Sequence, residues 1–316
     1  MTRALPGRAL ERLSRAACVE LWPGPGAPEP AQLRQGAAGA AGLLCVLSDG
    51  IDAALLEASP DLRVVSSCSV GLDHVDLAAA RARGIAVGHT PGVLAETTAD
   101  LTFGLLLAAA RRIAEADRFV RRGDWVPGRG WDPELLLGRD VHGATLGIVG
   151  LGEIGRAVAR RAAGFGMRVL GWSRSGRSVD GVETAPFGRL LEEADFVTLH
   201  LASTPETTNL IDAEALARLR PGAFLVNTSR GDIVDEAALV DALRTGQLAG
   251  AGLDVYSREP LPVTSALVEM DNVVLAPHIG SASLATRARM AELAVDNLLA
   301  GLEGRPLPHP APGAPG

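Results

Sequence analysis

An apolar run, Thr145–Val149, passes directly into Gly150-Leu-Gly152-Glu-Ile-Gly155, and helical periodicity begins at once near Glu153. A glycine triplet of this spacing is common by itself. Set between a strand and a helix it is restrictive. The first glycine permits a tight turn, the second lets the backbone approach a pyrophosphate, and the third lets the helix pack closely on the sheet. The open N–H groups of the first helical turn then face an anion. The motif predicts a strand–turn–helix unit in which Gly150, Gly152, Glu153, Ile154 and Gly155 hold a dinucleotide.

The surrounding chain has the matching rhythm. From about Arg63, short apolar runs alternate with longer amphipathic segments, the pattern of a parallel sheet flanked by helices. Strands are expected at Arg63–Ser67, Ile85–Gly88, Ala144–Val149, Arg168–Gly171, Phe196–Leu201, Ala223–Asn227, Gly250–Asp254 and Val273–Leu275. Their continuous apolar character suits strands covered on both faces. Helices are expected at Glu153–Ala163, Ala213–Leu219 and Asp235–Thr245, the last with Asp235 as N-cap and Gly246 at its C-terminal end. Ala95–Arg122 reads as one long helix and Ser283–Glu303 as a closing one. The Pro- and Gly-rich tail, Arg305–Gly316, has little to bury and is expected to be disordered. Asp124–Gly138 carries Trp125 and Trp131 among Pro and Gly, and reads equally as a packed surface loop or a partner contact. With 316 residues, the chain is an α/β protein of about two domains.

Composition removes whole classes of function. All 30 basic residues are Arg. Without a lysine there is no Schiff base, no Walker-type phosphate lysine and no Tyr–Lys dehydrogenase couple. A net charge of −7 disfavours general binding to nucleic acid or anionic membranes. The three cysteines, Cys18, Cys45 and Cys68, show no metal-ligand or disulfide spacing, so no metal is expected and a reducing cytoplasm is. No apolar run reaches the roughly 18 residues that span a bilayer, and the Arg-rich N-terminus leads into no secretory h-region.

Two regions specify chemistry. The strand after the glycine turn ends in Ser173-Arg174-Ser175, at the place where an acidic residue would hold a ribose 2′-hydroxyl. Ser and Arg there favour a 2′-phosphate, so NADP(H) is the expected cofactor and NAD(H) the second choice. Downstream stand Asn227-Thr-Ser-Arg230-Gly-Asp, Gly252-Leu-Asp254-Val-Tyr-Ser-Arg-Glu259-Pro and Pro277-His278-Ile-Gly280-Ser281. Each follows an apolar run, hence the carboxyl end of a strand, where open α/β sheets bind ligands. An Arg, a Glu and a His converging there supply an anion clamp and an acid–base pair. His200, also at a strand end, is the second candidate acid.

Together with Ser66-Ser-Cys-Ser-Val70-Gly71-Leu-Asp73-His74, Arg83-Gly-Ile-Ala-Val-Gly-His-Thr90-Pro91 and Glu96-Thr-Thr98-Ala-Asp, these motifs resemble the D-2-hydroxyacid dehydrogenase family, and within it the glyoxylate/hydroxypyruvate reductases. The resemblance implies a Rossmann domain (99–284) inserted into a flavodoxin-like substrate domain (1–98 and 285–316). It implies His278 as acid/base, Glu259 as its partner, Arg230 as substrate clamp, and the Val70 and Gly71 amides as the clamp's other half. It assigns Thr98, Pro205, Thr207, Thr228, Asp254 and Gly280 to the cofactor. The substrates implied are small 2-oxo acids, and the oligomer implied is a homodimer built on 95–137. Other D-2-hydroxyacid or phosphite dehydrogenases, and a dinucleotide-sensing corepressor, are the alternatives. Family members usually begin with a short apolar strand before the segment resembling Thr2-Arg-Ala-Leu-Pro6-Gly-Arg; only Met1 precedes Thr2 here, so the first strand of the substrate-domain sheet is expected to be missing.

Overall fold

The structure, a computed structural model, describes residues 1–128 and 131–312. The chain forms two compact units: Met1–Leu94 joined by the return segment from Ser281, and Ala95–Gly280.

The smaller unit is built on three parallel strands in the order β1 (Gly42–Cys45), β2 (Val64–Ser67), β3 (Ala86–Gly88). Alternate side chains face opposite layers. Leu43, Cys45 and Val65 pack with Leu33, Leu55, Leu56 and Ala80, whereas Leu44 and Val64 pack with Leu13 and with Ala291, Ala294 and Leu298 of the closing helix, Leu284–Leu302. Among the described residues no strand precedes β1, and Thr2 lies beside it. The Thr2 N–H donates to Leu44 O at 3.1 Å and its hydroxyl to Asp49 Oδ2 at 2.5 Å.

The tail overturns its expectation up to Pro312. Ala311 is buried and donates to Val87 O at 2.7 Å, Pro310 bridges Gly88, and Leu307 packs on the core. Backbone pairing with β3 and an apolar anchor help to hold a segment whose composition predicts no order. Residues 313–316 lie outside the described ones.

The larger unit carries seven parallel strands: β4 (Thr145–Val149), β5 (Arg168–Trp172), β6 (Glu183–Thr184), β7 (Phe196–Leu199), β8 (Ala223–Asn227), β9 (Leu248–Leu253) and β10 (Val273–Leu275). Their order, β10-β9-β8-β7-β4-β5-β6, is that of a doubly wound sheet. It reverses between β4 and β7, so the crevice at the carboxyl ends opens beside the glycine turn. Both faces are covered: Leu170, Leu190, Leu225 and Leu239 belong to one core layer, Leu106, Ile148, Val158 and Phe196 to the other.

Asp235 caps Glu236–Arg244 by accepting from the Ala237 and Ala238 amides, and Gly246 at φ +77° ends the segment, as expected. The long helix is instead two, Ala95–Ala110 and Ile113–Arg121, with Arg112 left-handed at φ +53°. The break has a visible cause. Ala110 O accepts from the Arg139 amide at 2.8 Å, a loop partner that replaces the next helical one.

Candidate active site

Three neighbouring strand ends, β8, β9 and β10, deliver the predicted chemical residues of the larger unit. His278 follows β10 with φ +54°, an uncommon conformation for a residue with a side chain. Asp254 fixes it. The His278 N–H donates to Asp254 O at 2.9 Å, and the Asp254 carboxylate accepts from the amides of Ile279 at 2.7 Å and Gly280 at 2.8 Å. Burial raises the Asp254 carboxyl above its ordinary value, against the pull of those two amides and of His278. The resemblance assigns Asp254 to the cofactor; in the structure it anchors the histidine turn.

The ring of His278 places Nδ1 2.7 Å from Glu259 Oε2. Nε2 is thereby the nitrogen left for a substrate. The other carboxylate oxygen of Glu259 accepts from the Tyr256 amide at 3.1 Å. Burial pushes the Glu259 carboxyl up, but the hydrogen bond and charge of His278, the Tyr256 amide and the charge of Arg230 outweigh it, and the net shift is downward. Glu259 is therefore an anion at neutral pH.

Arg230 stands on a turn shaped by two residues that the motif contains but whose work its spacing does not reveal. The buried Asn227 amide donates to Arg230 O at 2.8 Å while its oxygen accepts from the Ser229 amide and hydroxyl. A Cβ on Gly231 would lie 1.9 Å from the Tyr256 carbonyl carbon, so only glycine lets this turn cross the Glu259 loop. The lone tyrosine, Tyr256, ties β9 to β10: its hydroxyl lies 3.1 Å from Leu253 O and 2.8 Å from Ala276 O, and burial lifts it to about 12.

The remaining assignments sort by strand. Thr228 meets Thr102, a residue the sequence does not single out, hydroxyl to hydroxyl at 2.8 Å, and Thr102 donates to Thr98 O. A Cβ on Gly280 would touch both Thr98 and Asp254. Thr98, Thr228, Asp254 and Gly280 are thus one neighbourhood. At β4, Gly150 has φ +103°, and a Cβ there would strike His200 O at 2.3 Å; one on Gly155 would lie 2.0 Å from Gly150 O. A Cβ on Gly152 would meet nothing within 4 Å. Gly152 caps the helix Glu153–Gly164, with Glu153 exposed and Ile154 half-buried on the core. A turn with its walls in contact and its mouth open fits a pyrophosphate.

Ser173, Arg174 and Ser175 follow β5, next to β4 in the sheet. Ser173 Oγ accepts from the Arg177 amide, and Arg174 lies 3.6 Å from Glu206, an acid that no motif connects to it. Pro205 is exposed, whereas Thr207 is buried and donates to Ala202 O, shaping its own loop. His200, the second candidate acid, does not suit that role. Burial lowers it to about 3, leaving it neutral, with neither ring nitrogen hydrogen-bonded among the described residues.

Val70 and Gly71 lie in the smaller unit, in the loop after β2. Ser69 Oγ donates to Gly71 O at 2.7 Å. Among the described residues no group of three or more His, Cys, Asp or Glu could hold a metal, and no helix is long and apolar enough to cross a membrane.

A doubly wound sheet with this turn at its switch point defines a dinucleotide-dependent oxidoreductase class once the His–Glu pair stands at the same carboxyl edge. Residues 103–280 match the NAD binding domain of the D-isomer specific 2-hydroxyacid dehydrogenases, and the chain belongs to that family. It is an NAD(P)-dependent enzyme. A glyoxylate reductase of Korarchaeum cryptofilum is 49% identical over 314 residues, covering 98% of this chain and 94% of the other. A crystal structure of a Thermus thermophilus protein is 52% identical with a TM-score of 0.93, covering 98% of both chains. The NADPH-dependent glyoxylate/hydroxypyruvate reductase of Sinorhizobium meliloti, in complex with NADP and malonate, is 36% identical with a TM-score of 0.88, covering 99% of this chain and 96% of that one.

Proposed function

We propose that the chain reduces glyoxylate to glycolate and hydroxypyruvate to D-glycerate, with NADPH preferred to NADH. The observation that carries the reading is the 2.7 Å contact of His278 Nδ1 with Glu259 at the sheet edge that also holds Arg230. A bound nicotinamide would supply a hydride to the carbonyl carbon, C2, of the 2-oxo acid. The chain's own residues handle the charge that then grows on oxygen. Arg230 grips the substrate carboxylate and carbonyl, which fixes C2 and stabilises the developing oxyanion. As the carbonyl π bond opens, the Nε2 proton of His278 passes to that oxygen, and Glu259 stabilises the imidazolium before the transfer. The Val70 and Gly71 amides are proposed as further donors to the substrate carboxylate. Gly150, Gly152 and Gly155 would hold the pyrophosphate, and Thr98, Thr228, Asp254 and Gly280 the nicotinamide end.

Cofactor choice rests on Ser173-Arg174-Ser175. To bind a 2′-phosphate, Arg174 must leave Glu206, but a pair so exposed and 3.6 Å apart is weak. A charge-assisted hydrogen bond to phosphate contributes more, enough for roughly 10-fold discrimination or above. Initial rates with a panel of small 2-oxo acids and both cofactors test the whole reading. Turnover of glyoxylate and hydroxypyruvate with NADPH is expected; absence of turnover with every 2-oxo acid would overturn it, and equal kcat/KM for NADPH and NADH at low salt would overturn the preference.

A further inference from the structure

The peptide units Ser69–Val70 and Val70–Gly71 carry the two amides proposed to bind substrate. Their carbonyls are both held by consecutive residues, His89 and Thr90. Ser69 O accepts from the Thr90 amide at 2.8 Å, and Val70 O lies 3.0 Å from His89 Nδ1, which must donate because a carbonyl only accepts. Among the described residues the cis peptide bond is Glu259–Pro260, so both units are trans. In a planar trans peptide the N–H points away from the C=O. Holding each carbonyl therefore aims the N–H of the same unit, that of Val70 or Gly71, away from the His89–Thr90 segment, and a bonded carbonyl polarises its N–H into a better donor.

His89 is itself braced. Its N–H donates to His309 O at 3.0 Å, its carbonyl accepts from Asn297 Nδ2 at 2.8 Å, and the His309 N–H closes the ring on Asn297 Oδ1 at 2.9 Å. Asn297 is fully buried, and a Cβ on Gly88 would lie 2.7 Å from its side chain, so glycine there admits the brace. The tail segment around His309 thus belongs to the support of the loop.

We infer that His89 is a positioning residue that aims the Val70–Gly71 amides at the substrate carboxylate, with Asn297 and His309 holding it in place. The inference rests on the reading of those amides as substrate donors. His89→Leu removes the donor, whereas His89→Asn keeps an N–H at the same branch of the side chain. We expect His89→Leu to raise the KM for glyoxylate about tenfold, the loss of roughly one hydrogen bond to the loop. kcat should stay within about twofold. NADPH affinity, read by fluorescence titration, should not change, and His89→Asn should recover most of the KM. An unchanged KM in His89→Leu overturns the inference, as does a parallel fall of kcat, cofactor affinity and Tm in both variants. Amide spectra of protein labelled with 15N-valine and 15N-glycine, titrated with malonate, separate the two failures. If Val70 and Gly71 do not respond in the unmodified protein, the amide reading itself fails; if they respond there and equally in His89→Leu, the positioning role fails.

Discussion

At the scale of single residues, the His278–Glu259 pair has the sharpest consequences. His278→Ala should reduce kcat by about 10²–10⁴, the usual contribution of a positioned acid, while NADPH binding measured by fluorescence stays near that of the unmodified protein. Glu259→Gln should act through pH. Against the cost of burial, the hydrogen bond and charge of His278 hold the Glu259 carboxyl below its ordinary value, and the carboxylate holds the ring through the 2.7 Å contact. Losing the anion should therefore lower kcat/KM for reduction and change the shape of its pH profile. An unchanged profile would mean that the pair does not operate in turnover. The same linkage sets the effect on stability: a depressed carboxylate contributes above its unfolded value and loses that contribution as pH falls through its folded one. Acid, not base, should weaken this loop.

At the scale of elements, the glycine turn shows what a motif can and cannot convey. A methyl on Gly155 would sit 2.0 Å from Gly150 O, so Gly155→Ala must push the helix Glu153–Gly164 off β4 or spoil the turn. The expected outcome is a loss of about 1–3 kcal/mol in unfolding stability, with NADPH affinity at least tenfold weaker by titration. Intact affinity would argue that the turn does not bear on the cofactor. This unit was legible because each requirement is local: an apolar run covered on both faces, then glycines at fixed offsets. The same holds for Asp235, Gly246 and the three motifs after β8, β9 and β10. What escaped was decided elsewhere in the chain. The break at Arg112 depends on the Arg139 amide, and the ordered tail depends on the free edge of β3. The two-residue strand Glu183–Thr184 is exposed and has no apolar signature. Among site residues, Asn227 and Thr102 act through hydrogen bonds whose partners only the fold brings near. Leu43 and Leu44 of β1 did carry an apolar signal, diluted by the Ala and Gly before them.

At the scale of the whole molecule, the structure changes the argument for a dimer while keeping the expectation. Ala95–Ala110 needs no partner to explain its apolar character, since Phe103, Leu105, Leu106 and Ala109 are buried within their own unit. The second half differs. No residue of Ile113–Arg121 is buried, although it contains Ile113, Phe119 and Val120. The loop after it exposes Trp125, Val126, Leu137 and, at 86% of its surface, Trp131. Single exposed apolar residues need no explanation, but a helix face and a loop that carry two tryptophans and several aliphatics mark a surface that association would cover. Arg112–Glu115 and Arg121–Asp117 pairs keep that helix solvated between its apolar positions, so it need not be buried for the monomer to fold. Light scattering at micromolar concentration should therefore give twice the mass of one chain. Val120→Glu combined with Trp131→Glu should lower it toward one, because burying two unpaired carboxylates costs several kcal/mol. The doubly substituted chain should retain the folded circular-dichroism spectrum, since neither side chain supports its own unit. A mass of one chain for the unmodified protein, or an undiminished dimer in the double variant, would assign these tryptophans to some other contact.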